Sequence, residues 1–88
     1  MPRRSPVPNL PLTDRPLEVR SPHEILAAFE AYRLEQRLSR YKLAQQAGYA
    51  RNNYDQWVVG DTNGPKLSTL FDYAEVLGLV FIITRRRA

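Results

Sequence analysis

The sequence predicts a mainly α-helical domain of four short helices, followed by a single β-strand at the carboxyl end. Apolar residues recur at helical spacing in four stretches between residues 21 and 78. Gly48 stands where a tight turn between two helices requires a positive φ, and Gly78 stands just past the fourth helix. After Gly78 the pattern changes to β-branched and aromatic residues, which favours a strand.

Size and composition limit the kinds of function that this protein can have. A chain of 88 residues forms one small domain, and a net charge of +4 with a pI near 9.9 points to a polyanionic partner. The absence of cysteine excludes a disulfide framework and a cysteine metal site. No apolar run is long enough for a membrane span or a signal-peptide core, so we expect a cytoplasmic protein without membrane contact.

The first segment, residues 1–20, is rich in proline and arginine and is predicted to be extended or disordered. It has three interpretations: a solvated tail, a basic arm that follows DNA, or a short strand at residues 17–19. The first helix is expected from Ser21 to about Arg37. Ser21 is its N-cap, Pro22 occupies the first position, and Glu24 completes a capping box.

The second and third helices are predicted at about residues 39–47 and 51–59. Leu43, Ala44 and Ala47 share one face of the former, while Tyr54 and Trp57 point inward from the latter. A small residue at the helix crossing, a glycine in the turn and a polar outer face are what a helix-turn-helix needs. Such a motif places its second helix in the major groove of DNA.

A fourth helix is predicted at about residues 67–77, with five inward positions: Leu67, Leu70, Tyr73, Ala74 and Leu77. The strand that follows is apolar on both faces, with Val80 and Ile82 on one and Phe81 and Ile83 on the other. Because an unpaired strand leaves its backbone open, these four residues predict a dimer interface with the same strand of a second copy. The domain boundaries are therefore residues 1–20, 21–78 and 79–88.

Several of these positions carry a resemblance to a known family: Leu38-Ser39, Leu43-Ala44, Gly48, Gly60, Leu70 and the ending Ala74-x-x-Leu77-Gly78. Over roughly residues 29–79 the chain resembles the Cro/CI-type (XRE) helix-turn-helix repressors. The resemblance implies a lambda-repressor-like four-helix bundle and a dimeric transcriptional repressor of a palindromic double-stranded DNA operator. No cofactor is expected.

The same resemblance assigns the candidate DNA contacts. Arg51, Asn52 and Gln56 match positions that read base edges, in agreement with their places on a helix inserted by its amino end. Asn53 is added as a fourth base-contact candidate. The candidates for contact with phosphate are Arg40, Tyr41, Asn63 and Lys66.

Three departures from the family pattern bear on the third helix. Trp57 is larger than the aliphatic residue that the family usually has at this position. The family often has a glutamate near Val58 that pairs with the arginine matched by Arg33, so that ion pair is missing here. Ala50 stands where the family usually has a serine or threonine N-cap, which removes a cap worth roughly 1 kcal/mol.

Two other classes of protein, enzymes and antitoxins, compete with a simple repressor. With one histidine, His23, no cysteine, no glycine-rich phosphate loop and no plausible catalytic triad, the sequence indicates neither an enzyme nor a metal site. The alternative function is the antitoxin of a toxin–antitoxin pair, which can share this fold and repressor role while also binding a toxin. The proline-rich arm is the only candidate for a toxin-binding segment.

Overall fold

Four helices succeed one another in the computed structural model, which describes residues 15–60 and 65–86. They are α1 (Pro22–Glu35), α2 (Arg40–Gln46), α3 (Asn53–Val59) and α4 (Leu67–Leu77). α2 packs against α3 and α4, and α1 packs against α4. The mainly helical fold and the number of helices confirm the prediction. None of the helices in the described ranges is long and apolar enough to cross a membrane.

Serine caps begin the first two helices. The Ser21 Oγ accepts a hydrogen bond from the Glu24 N–H at 3.2 Å, and the Ser39 Oγ accepts one from the Lys42 N–H at 3.0 Å. The Glu24 carboxylate accepts from the N–H of Arg20 rather than from that of the cap residue. Both helix starts therefore follow from local sequence, with each serine just outside its helix.

Left-handed residues end the helices and set the turns. Arg37 adopts a φ of +55°, so α1 ends at Glu35 and not at Arg37. Gly48 has a φ of +91°, and the Tyr49 N–H bonds the Ala44 carbonyl at 2.9 Å. This arrangement confirms the turn glycine and turns the chain from α2 towards α3.

α3 begins two residues later than expected, at Asn53. The Asn53 N–H bonds the Ala50 carbonyl at 3.0 Å, which closes a turn that contains Arg51 and Asn52. The N-cap is therefore Asn52 and not Ala50, and the Asn52 side chain makes no capping bond. The weak start of this helix that the sequence suggested is real, but it lies two residues further along.

The core is an aromatic cluster that joins three helices. Tyr54 and Trp57 of α3 are buried, as predicted, and their rings meet edge to face at 5.8 Å between centroids. Trp57 also meets Phe29 of α1 at 5.9 Å, and Tyr54 meets Tyr73 of α4 at 5.1 Å. The remaining core side chains are aliphatic: Leu26, Leu43, Ala44, Ala74 and Leu77.

One predicted core position was wrong. Leu67 is exposed, because it is the first residue of α4 and lies outside the part of the helix that packs on the core. Thr69 is buried in this first turn instead, and Leu70 is half-buried.

The predicted carboxyl-terminal strand does not form in the single chain. Within residues 15–60 and 65–86 no β-strand is present, since a strand needs a partner for its backbone and residues 80–86 find none there. Phe81 packs on Phe71 and Phe29, at 5.2 and 6.3 Å between ring centroids. Val80, Ile82 and Ile83 are 80%, 59% and 98% exposed.

Candidate nucleic-acid interface

The α2–turn–α3 unit has one buried face and one exposed face. Leu43 and Ala44 of α2 and Tyr54 and Trp57 of α3 are buried against the other helices. The opposite surface exposes three predicted base-contact residues, two just before α3 and one at the middle of it: Arg51, Asn52 and Gln56. The Gln56 N–H bonds the Asn52 carbonyl at 2.9 Å, so these two side chains are one turn apart.

Arg51 lies over an aromatic ring of α2. Its Cζ atom is 5.1 Å from the ring centroid of Tyr41, and both residues are exposed. Among the described residues Arg51 forms no ion pair. Its N–H donors therefore stay available to an acceptor outside the protein.

Asn53 lies differently from the other three base-contact candidates. Its side-chain oxygen accepts a hydrogen bond from the Tyr73 hydroxyl of α4, and the residue is half-buried. This bond directs the amide towards the core rather than the exposed surface. In the free protein Asn53 therefore ties α3 to α4.

The phosphate candidates are dispersed. Lys66 is exposed and is the N-cap of α4, with no side-chain capping bond, and Tyr41 is half-exposed in the first turn of α2. Asn63 lies outside the described residues. No group of three or more histidine, cysteine, aspartate or glutamate side chains is placed to hold a metal ion in the part of the chain that the structure describes.

Glu30 is the centre of a buried ionic cluster that the sequence did not predict. Its carboxylate accepts bonds from Arg33 Nε at 2.6 Å and Arg33 Nη2 at 3.1 Å. The Tyr54 hydroxyl donates to it at 2.8 Å, and Arg40 Nη2 donates at 3.3 Å. One carboxylate thus receives donors from α1, α2 and α3, and we call these four residues with Asp55 the Glu30 cluster.

The Glu30 cluster also accounts for Arg33 in a chain that has valine at position 58. Arg33 takes its carboxylate from its own helix, three residues earlier, and its Nη1 donates to the Leu38 carbonyl at 2.7 Å. In place of the family's ion pair between α1 and α3, the neutral Tyr54 hydroxyl donates a hydrogen bond to the charged Glu30 carboxylate. The buried Arg33 guanidinium therefore finds its acceptors in Glu30 and Leu38, without a glutamate at position 58.

Arg40, a predicted phosphate contact, is held by two carboxylates of the protein. Its Nη1 donates to Asp55 Oδ1 at 2.9 Å, in addition to the bond from Nη2 to Glu30. Its side chain is 38% exposed. The partner of Asp55 is thus this arginine of α2.

The environment fixes the charge states in the Glu30 cluster. Burial raises the pKa of Glu30, but hydrogen bonds from Arg33 and Tyr54 outweigh it and hold that pKa below its ordinary value. The bond to Glu30 raises the pKa of Arg33. Burial, with the negative charge of Glu30, raises the pKa of Tyr54, so its hydroxyl stays a neutral donor.

Comparison with known proteins agrees with this geometry. A family model described as helix-turn-helix matches residues 29–80, which is more than half of the chain. The chain belongs to the Cro/CI-type (XRE) helix-turn-helix family. The matched range contains α2, the Gly48 turn and α3, and the domains of this family are DNA-binding and regulatory. Neither the curated proteins nor the solved structures that were compared gave a match.

We expect the Glu30 cluster to contribute to the free energy of unfolding. Glu30→Gln should lower the free energy of unfolding at pH 7 by about 3 kcal/mol, because the two arginines lose a buried partner. Since the folded-state pKa of Glu30 lies below the ordinary 4.5, its contribution is present above that pH and is lost as the pH falls through the folded value. Urea denaturation at pH 7 and at acid pH measures both effects.

The matched control is Glu35→Gln, a change of the same chemistry at an exposed residue of the same helix. It should alter the free energy of unfolding by less than about 0.5 kcal/mol. Equal effects of the two substitutions would show that the Glu30 cluster does not stabilise the fold.

Proposed function

We propose that the chain is a sequence-specific transcriptional repressor that inserts the amino end of α3 into the major groove of double-stranded DNA. The observation that carries the proposal is the exposed set Arg51, Asn52 and Gln56 on a unit whose other face is buried. The family match supports DNA binding and regulation.

Each of these side chains has a chemistry suited to base edges. The Arg51 guanidinium can donate two hydrogen bonds to O6 and N7 of guanine. The amides of Asn52 and Gln56 can each pair with N6 and N7 of adenine. Asn53 is assigned a weaker part, because base contact would require it to leave the Tyr73 hydroxyl.

Affinity that is independent of sequence is assigned first to Lys66, whose charge has no ion-pair partner among the described residues. Arg40 keeps a secondary role. The charges of Arg33 and Arg40 are offset by those of Glu30 and Asp55, so this part of the surface attracts phosphate weakly. Asn63 remains a phosphate candidate on the sequence alone.

Arg51 provides the test of base reading. A preferred duplex would first be selected from a random library. Arg51→Ala should weaken binding to that duplex by about 1–3 kcal/mol and relax the preference at one base pair. Arg51→Lys should restore the charge and the salt dependence but not the guanine preference, because a lysine lacks the two-pronged donor. Fluorescence anisotropy over a range of salt concentrations measures both.

Lys66→Ala is the matched control, since it removes one exposed positive charge outside α3. It should weaken binding to preferred and random duplexes alike and reduce the salt slope by about one unit. If Arg51→Ala has the same uniform effect as Lys66→Ala, Arg51 contacts phosphate and does not read a base.

The proposal includes a homodimer formed through residues 79–86. Val80, Ile82 and Ile83 present apolar side chains to solvent, and no backbone hydrogen bond joins residues 80–86 to another part of the described chain. Antiparallel pairing with the same segment of a second copy would satisfy both. It would also set two α3 helices on one side of a palindromic operator, about 34 Å apart.

Ile82→Asp tests the dimer. The charge should prevent pairing of the two segments, giving a monomer by light scattering and a loss of tight binding to the selected palindrome. Leu34→Asp, at a similarly exposed leucine of α1, is the matched control and should remain dimeric. A dimer that persists in Ile82→Asp at micromolar concentration would place the interface elsewhere.

The alternative function, an antitoxin, is favoured by a groove beside the same segment. Residues 16–20 and 80–86 line it together, with Leu17, Val80 and Ile82 among its apolar side chains. The light-scattering experiment shows whether a second copy of the chain covers this groove. A monomeric wild-type chain would leave this surface for a different protein, whereas a dimer paired through the segment would cover part of it.

A further inference from the structure

We infer that Tyr41 is a positioning residue for base reading, whose aromatic ring holds the Arg51 guanidinium in place before DNA binds. The observation is the placement of Arg51 Cζ over the Tyr41 ring, 5.1 Å from its centroid. The inference rests on the proposed function, because it assumes that Arg51 reads a base. It changes the role of Tyr41 from a hydroxyl that contacts phosphate to a ring that orients an arginine.

The local structure gives Arg51 little other support. It lies in the turn before α3, and among the described residues it has neither an ion pair nor a side-chain hydrogen bond. A free arginine side chain loses roughly 2 kcal/mol of conformational entropy when it is fixed. A ring that already restricts it reduces this loss at the moment of binding.

Tyr41 is well placed to provide that restriction. It lies in the first turn of α2, two residues after the Ser39 cap, and Leu43 and Ala44 of the same helix are buried. The ring therefore stands on a backbone that is fixed on its other side. A tyrosine also has few side-chain torsions, so it orients its neighbour at small entropic cost.

The contact of Arg51 with a ring, and not with a carboxylate, matters as much as its position. An aromatic face attracts a guanidinium without accepting hydrogen bonds from its N–H groups in the way a carboxylate does. Arg40, eleven residues earlier in the same motif, shows the opposite case, since Asp55 and Glu30 accept from its two Nη atoms. Of these two arginines, Arg51 is thus the one that is oriented while its donors remain open to guanine.

The experiment compares Tyr41→Phe and Tyr41→Leu with the wild-type chain on the duplex selected by the full-length protein. The readout is the ratio of the dissociation constants for that duplex and for one changed at the base pair whose preference Arg51→Ala relaxes. Tyr41→Phe should keep this ratio, because the ring remains. Tyr41→Leu should lower it about two- to fivefold, the effect expected of an exposed cation–π contact.

A double-mutant cycle completes the test. In the Arg51→Ala background, Tyr41→Leu should have no further effect on the ratio, whereas independent roles would give additive effects. Thermal unfolding shows that each variant is folded, and Tyr41 is half-exposed, so the leucine should be tolerated.

Two outcomes overturn the inference and leave the proposed function standing. One is an unchanged ratio in Tyr41→Leu. The other is a lowering of the ratio in Tyr41→Phe as large as that in Tyr41→Leu, which would assign the effect to the hydroxyl and not to the ring. If instead Arg51→Ala changes the ratio at no base pair, the base-reading proposal itself fails, and the positioning role fails with it.

Discussion

The helix-turn-helix depends on one buried carboxylate, that of Glu30, which accepts four hydrogen bonds. A buried charge is costly unless it is paired and hydrogen-bonded, and Glu30 is both, with donors from α1, α2 and α3. Because Tyr54 belongs to α3 and Arg40 to α2, the two helices cannot change their relative orientation without breaking a bond to Glu30. The packing of Tyr54 on Tyr73 of α4 and of Trp57 on Phe29 of α1 then fixes α3 from its apolar side.

This internal use of charge shapes the exposed surface. Arg40 and Asp55 stand where α2 meets α3, and their pairing removes a positive charge from the surface that faces the proposed DNA. Arg51 keeps its charge and its donors, and it lies over a ring instead of beside a carboxylate. The structure therefore separates an arginine that stabilises the motif from one that is free to bind. A count of basic residues in the sequence treats the two alike.

Features determined by neighbouring residues were predictable from the sequence. The cap Ser21 and the turn glycine Gly48 act within four residues of themselves, so their signals are local. Ser39 was expected as the first residue of the second helix, and it is the cap of that helix instead. The bounds of α4 also followed from the spacing of its apolar residues, although Leu67 at its first position proved to be exposed.

Features that depend on contacts distant in sequence were not predictable. The spacing of Glu30 and Arg33 suits an ion pair on one helix, but nothing local shows that Arg40 and Tyr54 join them. The bond from Tyr73 to Asn53 spans 20 residues and removed Asn53 from the exposed set. The carboxyl-terminal segment has the composition of a strand, yet a strand requires a partner that the single chain does not contain.

The central claim is that α3 meets DNA in the major groove, and methylation protection with dimethyl sulfate on the selected duplex tests it most directly. This reagent modifies N7 of guanine in the major groove and N3 of adenine in the minor groove, so it reports which groove the protein occupies. The account predicts protection of guanine N7 in two clusters whose centres are about 10 base pairs apart, one for each α3 helix of a dimer. Tight binding without protection of any guanine N7 in the site would contradict it.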